Sequence, residues 1–338
     1  MKSLTKYEIT QDRLRTVFEA AGIGGIDGVT EISDGWYNSV FSAIDKSGKK
    51  YVIKIAPPKD AAVLSYEKNI MNSEVKFYRL LKEKTTIKTP EIIFADFSGR
   101  IISAAYFIME FLSGERLDKA GLSPIEKQKA DGEIARLLAE FHKIQGVGYG
   151  YEQTGLCDNW KDALTGMTQA LIDDSAAFGK KCKIGERLLS YIDKFADSLK
   201  DAPCVFVNFD VHSMNLFCQR TADGGIELAA LDLERGFWGD PIGDLVMPEL
   251  LKPFEKKNIL TNYNKYAAKK LIADDADTQI RYNLMATYLA AIMYAERFSR
   301  FKGAKKYFNP VYLGGTIASA VVARRAFSAL KKLSYGKR

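Results

Sequence analysis

Residues 205–218 read Val205-Phe206-Val207-Asn208-Phe209-Asp210-Val211-His212-Ser213-Met214-Asn215-Leu216-Phe217-Cys218. An apolar run enters a polar loop, and the loop leaves into a second apolar run, so Asp210 and Asn215 stand between two strands. A turn follows at Thr221-Ala222-Asp223-Gly224-Gly225, then a strand, Ile226-Glu227-Leu228-Ala229-Ala230-Leu231, that ends at Asp232. Asn215 directly precedes the first strand of this hairpin and Asp232 directly follows the second. Antiparallel pairing therefore sets an amide oxygen beside a carboxylate, with Asp210 one loop away. Hard oxygen donors of this kind suit Mg²⁺ bound jointly with phosphates. A lone D-x-x-x-x-N means nothing; the flanking strands and Asp232 give this one its weight.

A matching half lies upstream. Trp36 to Ile44 and Tyr51-Val52-Ile53-Lys54-Ile55 read as a hairpin around Asp45-Lys46-Ser47-Gly48. Lys54 sits among apolar neighbours. A long helix is expected from about Ala61 to Lys84, with Ile70, Phe77, Tyr78 and Leu81 on one face. Glu74 falls on that stripe, where an acid needs a partner, and a lysine from the adjacent sheet is the natural one. A Lys–Glu pair that aims an ammonium at phosphate oxygens is a recurring device of phosphoryl transfer.

The remaining elements are read more coarsely. Leu14, Val17, Phe18 and Ala21 predict a first helix stopping at Gly22, before a glycine-rich stretch at Gly24, Gly25 and Gly28. Glu91 to Phe97, Ile101 to Ala105 and Tyr106 to Met109 read as short strands, and Gly114 as a break. Ile134, Leu137, Leu138 and Phe141 predict a helix over Asp131 to Ile144, and the chain from about Pro248 to Leu333 reads as helices. The expected class is α+β in two lobes: a small antiparallel-sheet lobe at 1–108, a hinge at 109–114 and a large, mostly helical lobe at 115–338.

These residues resemble a known family. Lys54, Glu74, the connector Met109-Glu110-Phe111-Leu112-Ser113-Gly114, the Asp210–Asn215 loop and Asp232 stand in the order of protein-kinase-like folds. Asn208 to Asn215 is similar to the H-G-D-x-H-x-x-N loop of the aminoglycoside phosphotransferase and choline kinase superfamily. Leu231-Asp232-Leu233-Glu234 and Gly239-Asp240-Pro241-Ile242-Gly243-Asp244-Leu245 are similar to its I-D-W-E and G-D-P-x-x-D-L stretches. The resemblance implies a kinase that moves the γ-phosphoryl group of ATP or GTP to an alcohol. By it, Asp210 is the catalytic base, Asn215 and Asp232 hold Mg²⁺, Lys54 steadied by Glu74 meets the phosphates, and the backbone of Glu110 and Leu112 meets the purine. The phosphate-covering loop would be Ser33-Asp34-Gly35-Trp36-Tyr37-Asn38-Ser39, with one glycine only. A second departure is Asn208-Phe209 where the family has His-Gly, which implies a changed support of the loop.

Two features separate a small-molecule kinase from a protein kinase. Twelve positions lie from Asp232 to Asp244, too few for a long activation loop. Residues 115–203 form a long helical insert able to wall a compact substrate. Acidic residues for a cationic acceptor are available at Asp158, Asp162, Asp173, Asp174 and Glu234; sugars and macrolides stay open beside aminoglycosides and choline-like alcohols. Glu234 faces substrate or forms a salt bridge. Asp244 caps a helix near Leu245 or braces the catalytic loop. His212 is read as a loop brace, His142 as structural, and Trp160, Phe237, Trp238 and Tyr294 as core.

The rest of the composition narrows the classes. The net charge of +7 comes from 49 Lys and Arg spread along the chain, with a small cluster at Lys331, Lys332, Lys337 and Arg338, not the stripe of a nucleic-acid binder. Cys157, Cys182, Cys204 and Cys218 form no C-x-x-C, so neither zinc nor a redox pair is expected. Met1 to Thr10 lacks a signal-peptide core and no apolar run has the length of a membrane span, so the expectation is a cytoplasmic monomer or dimer without membrane partners. The competing reading is a catalytically inactive nucleotide-binding scaffold of the same fold; keeping Asp210, Asn215 and Asp232 together argues against it.

Overall fold

The computed structural model describes residues 5–32, 37–301 and 308–336. Thr10 accepts the N–H of Arg13 and starts α1 (Gln11–Ala20), whose Leu14, Val17 and Phe18 form one buried stripe. Next come β1 (Ile26–Ile32), β2 (Ser39–Asp45), β3 (Lys50–Ile55), α2 (Ile70–Lys84), β4 (Ile92–Asp96) and β5 (Tyr106–Glu110), with the strands antiparallel in the order β1-β2-β3-β5-β4. The expected β2–β3 hairpin is present, and Asp45 ties its turn by accepting the N–H groups of Ser47 and Lys49. The pleat then sorts β3. Tyr51, Ile53 and Ile55 join the core under α1, and Val52 joins Phe77, Tyr78 and Leu81 of α2 on the other face. Lys54 has the parity of Val52, so the strand delivers its ammonium to the α2 side.

Three expectations change here. The helix expected from Ala61 begins only at Ile70. Asn69 adopts a left-handed φ of 59°, which Asn tolerates, and before it the chain makes one 3-10 turn, Ser65–Glu67, that buries Leu64 and Tyr66 instead of continuing the helix. Ile101 to Ala105 is no strand: Ile102 and Ala104 are buried against the sheet, but the backbone bends over 101–104, and Ala105 O accepts the N–H of Ala56. The glycine-rich stretch hides β1, where Gly28 opposes Ile44 beside a register shift.

The larger lobe runs β6 (Glu115–Arg116), α3 (Pro124–Phe141), α4 (Trp160–Ala177), α5 (Lys183–Lys194), α6 (Ala196–Leu199), β7 (Val205–Val207), β8 (Leu216–Arg220), β9 (Ile226–Ala230), β10 (Phe237–Gly239), α7 (Asn258–Tyr263), α8 (Ala276–Arg300) and α9 (Pro310–Gly336). Gly114 enters it at φ 115°, where an added Cβ would lie 2.7 Å from the Cys218 carbonyl. α3 starts at Pro124, earlier than Asp131, because Ser123 and Glu126 close a reciprocal capping box. α8 is the axis of the lobe, with Tyr282 to Ile292 buried without a break. The β8–β9 hairpin is confirmed, with β6 on its outer side, and β7 pairs with β10, a strand too short to read from the sequence. No described helix is long and apolar enough to cross a membrane. The architecture is the two-lobe α+β class expected.

Candidate active site

The loop after β7 is held from behind. Phe209 takes a left-handed φ of 63°, the conformation a glycine would adopt without cost. Its N–H donates to Asp244 Oδ1 at 2.6 Å, and the N–H of Asn208 donates to Asp244 Oδ2 at 3.1 Å. His142 Nε2 meets the same oxygen at 3.1 Å, and its Nδ1 meets the Tyr263 hydroxyl at 2.8 Å. Asp244 thus braces the loop and caps no helix; Pro241–Leu245 is a 3-10 turn whose start is capped by Asp240. The ring of Phe209 is fully buried against Phe237 and Tyr288, packing that a glycine lacks. His212 acts as a brace, its Nδ1 accepting the N–H of Met214.

Asp210 follows this anchored pair and is 7% exposed. Its Oδ2 and its carbonyl accept from Asn215 Nδ2, each at 3.1 Å, which leaves the amide oxygen of Asn215 for another role. Its Oδ1 is 2.8 Å from Arg235 Nη1, and Arg235 Nη2 spans both carboxylate oxygens of Glu296 at 2.8 and 2.9 Å. Burial pushes the Asp210 carboxyl up to about 7 even though Arg235 pulls it down. Glu296 also accepts from the Tyr66 hydroxyl, and neighbouring Glu67 pairs with Arg300. The turn before α2 therefore crosses onto α8. Sequence reasoning missed Arg235, Glu296 and Tyr66; only the run Glu234-Arg235 beside Asp232 hinted at one of them.

Lys54 joins the lobes. Its Nζ lies 2.8 Å from Glu74, 2.7 Å from Asp232 and 3.0 Å from Glu234. The pair with Glu74 forms as the sequence suggested, and Glu234 takes the salt-bridge role while accepting from Asn38 Nδ2 at 2.7 Å. Asp232 stands at φ 56° just past β9, and its N–H donates to the Tyr78 hydroxyl at 2.8 Å. Burial raises Glu74 to about 8 against the pull of Lys54. Burial would raise Asp232 too, but Lys54 overcomes it and holds the carboxyl below its usual range. Oxygens of Glu74, Asp232 and Glu234 lie within 4.8 Å of one another, and Oε2 of Glu74 is buried without a partner. The positive charge these oxygens surround here is the Lys54 ammonium; Asp232, with the amide oxygen of Asn215, offers the hard oxygen donors that fit a divalent cation of the Mg²⁺ kind.

Beside this group, Ile32, Val40, Val52, Met109, Leu112 and Leu231 surround a cavity of about 350 Å³ between the lobes. Glu110, Leu112 and Asn215 all line it. The Glu110 N–H is already committed to Glu91 O at 2.9 Å. Ser39 is not brought to the group: its hydroxyl is buried and donates to Tyr7 O, because β2 turns it toward the N-terminal segment. Asn38, next to it, is the residue that reaches Glu234. Residues 33–36 of the expected phosphate loop lie outside the described residues. A larger cavity, about 1030 Å³ between α8 and α9, contains none of these side chains.

The family model described as the phosphotransferase enzyme family matches residues 28–247. The chain belongs to that family. The match spans β1 to the turn after β10 and takes in Lys54, Glu74, Asp210, Asn215 and Asp232, so the resemblance read from the sequence holds. Among solved structures, a candidate aminoglycoside phosphotransferase from Ralstonia eutropha is 17% identical, with 96% of this chain and 99% of that one covered and a TM-score of 0.65. A thermostable mutant of aminoglycoside phosphotransferase APH(4)-Ia, in ternary complex with AMP-PNP and hygromycin B, is 16% identical over 95% and 98%, with a TM-score of 0.59. Macrolide 2'-phosphotransferase MphH from Brachybacterium faecium is 15% identical over 92% and 98%, at 0.55. At such identities the likeness to these phosphotransferases is one of fold. No curated protein sequence matched the chain.

Proposed function

We propose that this member of the family transfers the γ-phosphoryl group of ATP or GTP to a hydroxyl of a small molecule. The observation that carries the reading is the ammonium of Lys54, held by Glu74 from one lobe and 2.7 Å from Asp232 of the other, with Asn215 and Asp210 in the adjoining loop. The AMP-PNP bound to APH(4)-Ia supports a nucleotide donor. In this reading residues 109–114 are the hinge between an N-terminal lobe at 1–108 and a C-terminal lobe at 115–338. The purine lies in the interlobe cavity and is met by the Leu112 backbone and, its N–H being committed, by the Glu110 carbonyl.

Asp210 orients the attacking hydroxyl and takes its proton, and its raised carboxyl suits a base working near neutral pH. Lys54 turns from the acids to the phosphate oxygens, with Glu74 keeping it in place. Asn215 and Asp232 would hold Mg²⁺, which neutralises charge on the transferring group. Most of the rate enhancement would come from alignment, because the residues span two lobes and pre-set the in-line geometry. The test is a coupled ADP-release screen over alcohols in the presence of Mg²⁺, with Asp210→Asn beside the wild type. An alcohol that raises ADP release in the wild type and not in the variant is the expected result. Tight AMP-PNP binding with no stimulation by any alcohol would favour the inactive scaffold.

A further inference from the structure

The brace behind the catalytic loop is itself held, and by a residue that is expensive to bury. Asp244 belongs to the 3-10 turn Pro241–Leu245, whose end leaves carbonyls without partners inside the turn. Leu245 and Val246 are fully buried, so water cannot supply the missing donors. Lys257 supplies them. Its Nζ donates to Leu245 O at 2.9 Å, Val246 O at 2.7 Å and Pro248 O at 2.5 Å, one proton to each. The residue is 3% exposed, and the acid nearest to it in sequence, Glu249, pairs instead with Lys252. The Tyr282 ring of α8 lies 5.4 Å from Nζ. A buried ammonium without a carboxylate is costly, and an apolar side chain of similar length would avoid that cost. Such a side chain could not gather three carbonyls at one point.

Two further contacts converge on the same turn. At its start, fully buried Asp240 caps Ile242 with Oδ1 and takes Arg281 of α8 on Oδ2 at 2.8 Å. From behind, Tyr263 bonds His142, and His142 meets the Asp244 carboxylate. Lys257 directly precedes α7 and Tyr263 ends it, so one short helix reaches the turn from both of its ends. Building on the kinase reading above, we infer that Lys257 is a positioning residue for phosphoryl transfer: its ammonium fixes the turn that carries Asp244, and Asp244 fixes the Asn208 and Phe209 peptides that aim Asp210. The path is short. Nζ holds the carbonyl of the residue after Asp244, Asp244 holds two N–H groups, and Asp210 is the next residue. Neither Lys257 nor the turn lines the interlobe cavity, so the effect falls on the chemical step and not on nucleotide binding. The ammonium also titrates. Burial pushes it down to about 7; Arg325 of α9 adds to the push, Glu249 opposes it, and Lys252 adds again. The Tyr282 hydroxyl, on the α8 side, is pushed up by burial and stays neutral. Once the proton leaves, two N–H groups remain for three carbonyls, so the hold weakens on the alkaline side.

The experiment uses the full chain with Mg·ATP and no added alcohol, water serving as the acceptor. Lys257→Met is expected to lower kcat for ADP release about tenfold and to leave AMP-PNP affinity within about threefold of wild type. In the double variant K257M/D244A the losses should not multiply: its kcat should match that of Asp244→Ala alone, because both act through one carboxylate. Wild-type kcat should fall as pH rises beyond about 7, and K257M should lack that limb. Amide hydrogen exchange over 205–215 should quicken at least about threefold in K257M, with α2 unchanged as the check of folding. Wild-type turnover together with wild-type exchange in K257M overturns the positioning role. Losses that multiply in the double variant, or an alkaline limb that K257M keeps, overturn the path through Asp244. Should the wild type release no ADP with water or with any alcohol of the screen above while AMP-PNP binds, the transfer reading fails instead, and exchange over 205–215 alone decides whether Lys257 sets the loop.

Discussion

Asp244 carries no substrate in the reading above, yet its removal should disable the protein. Its carboxylate accepts the N–H groups of Asn208 and Phe209, both buried, and meets His142. Asp244→Ala leaves two buried backbone donors without partners, at about 1–3 kcal/mol each, so about 2–6 kcal/mol in all. Against a stability of about 5–15 kcal/mol this is a large fraction. The loop can recover about 1–2 kcal/mol by letting Phe209 leave its left-handed φ of 63°. That rotation moves Asp210, the next residue, away from Asn215. The variant should melt a few degrees lower, at about 1.4 °C per kcal/mol for a chain of this length. Its kcat for an alcohol that the wild type phosphorylates should fall about a hundredfold, the scale expected for an ångström of misplacement. AMP-PNP affinity should stay within about threefold of wild type, since Asp244 touches none of the residues around the interlobe cavity. Thermal melts, turnover and calorimetry measure the three. A variant that keeps wild-type kcat and melts within a degree would refute the claim that Asp244 sets the loop.

Other consequences follow from the same contacts. Lys54→Met leaves Glu74, Asp232 and Glu234 together without their cation, at a cost of about 3–5 kcal/mol, and Mg²⁺ alone should then raise the melting temperature more in the variant than in the wild type; an equal or smaller shift would count against the cluster as a cation site. Phe209→Gly relieves backbone strain but deletes a fully buried ring, so urea unfolding should show a net loss of about 2–4 kcal/mol, and a variant as stable as wild type would show that the strain dominates. Glu126 is held at about 2 by Arg220 and by the cap on α3. Its folded value lies below the unfolded one, so its contribution is present above about pH 4.5 and is lost as pH falls toward 2; acid titrations of Glu126→Gln should lose that part of the limb.

What the sequence disclosed depended on whether chemistry was local. The Asp210–Asn215 loop and Asp232 were legible because strand, loop and hairpin are contiguous, and Glu74 betrayed itself as an acid on an apolar stripe. Glu234 carried two readings until Lys54 was placed beside it. Arg235, Glu296 and Tyr66 were not legible, since they come from three distant segments and each, taken singly, is an ordinary helix or turn residue. The helix expected from Ala61 failed for a related reason. Helical periodicity cannot register that Asn69 turns left-handed, nor that Tyr66 is wanted across the cleft at Glu296. The glycine content around Gly28 masked β1, because pairing with β2 overrides a weak local preference.

The substitution of Asn208-Phe209 for His-Gly shows how one local change is absorbed by its surroundings. A glycine would reach φ 63° freely, whereas Phe209 needs compensation, and two kinds are present. The short bond to Asp244 fixes the peptide, and burial of the ring against Phe237 and Tyr288 favours the conformation that strains the backbone. Asn208 Oδ1 remains buried without a partner, so its side chain adds nothing comparable. In this chain the side-chain support of the loop therefore comes from the second residue of the pair. The position of Asp210 now depends on an aromatic core cluster as well as on Asp244, and core variants at Phe237 or Tyr288 should lower turnover even though neither bonds to Asp210.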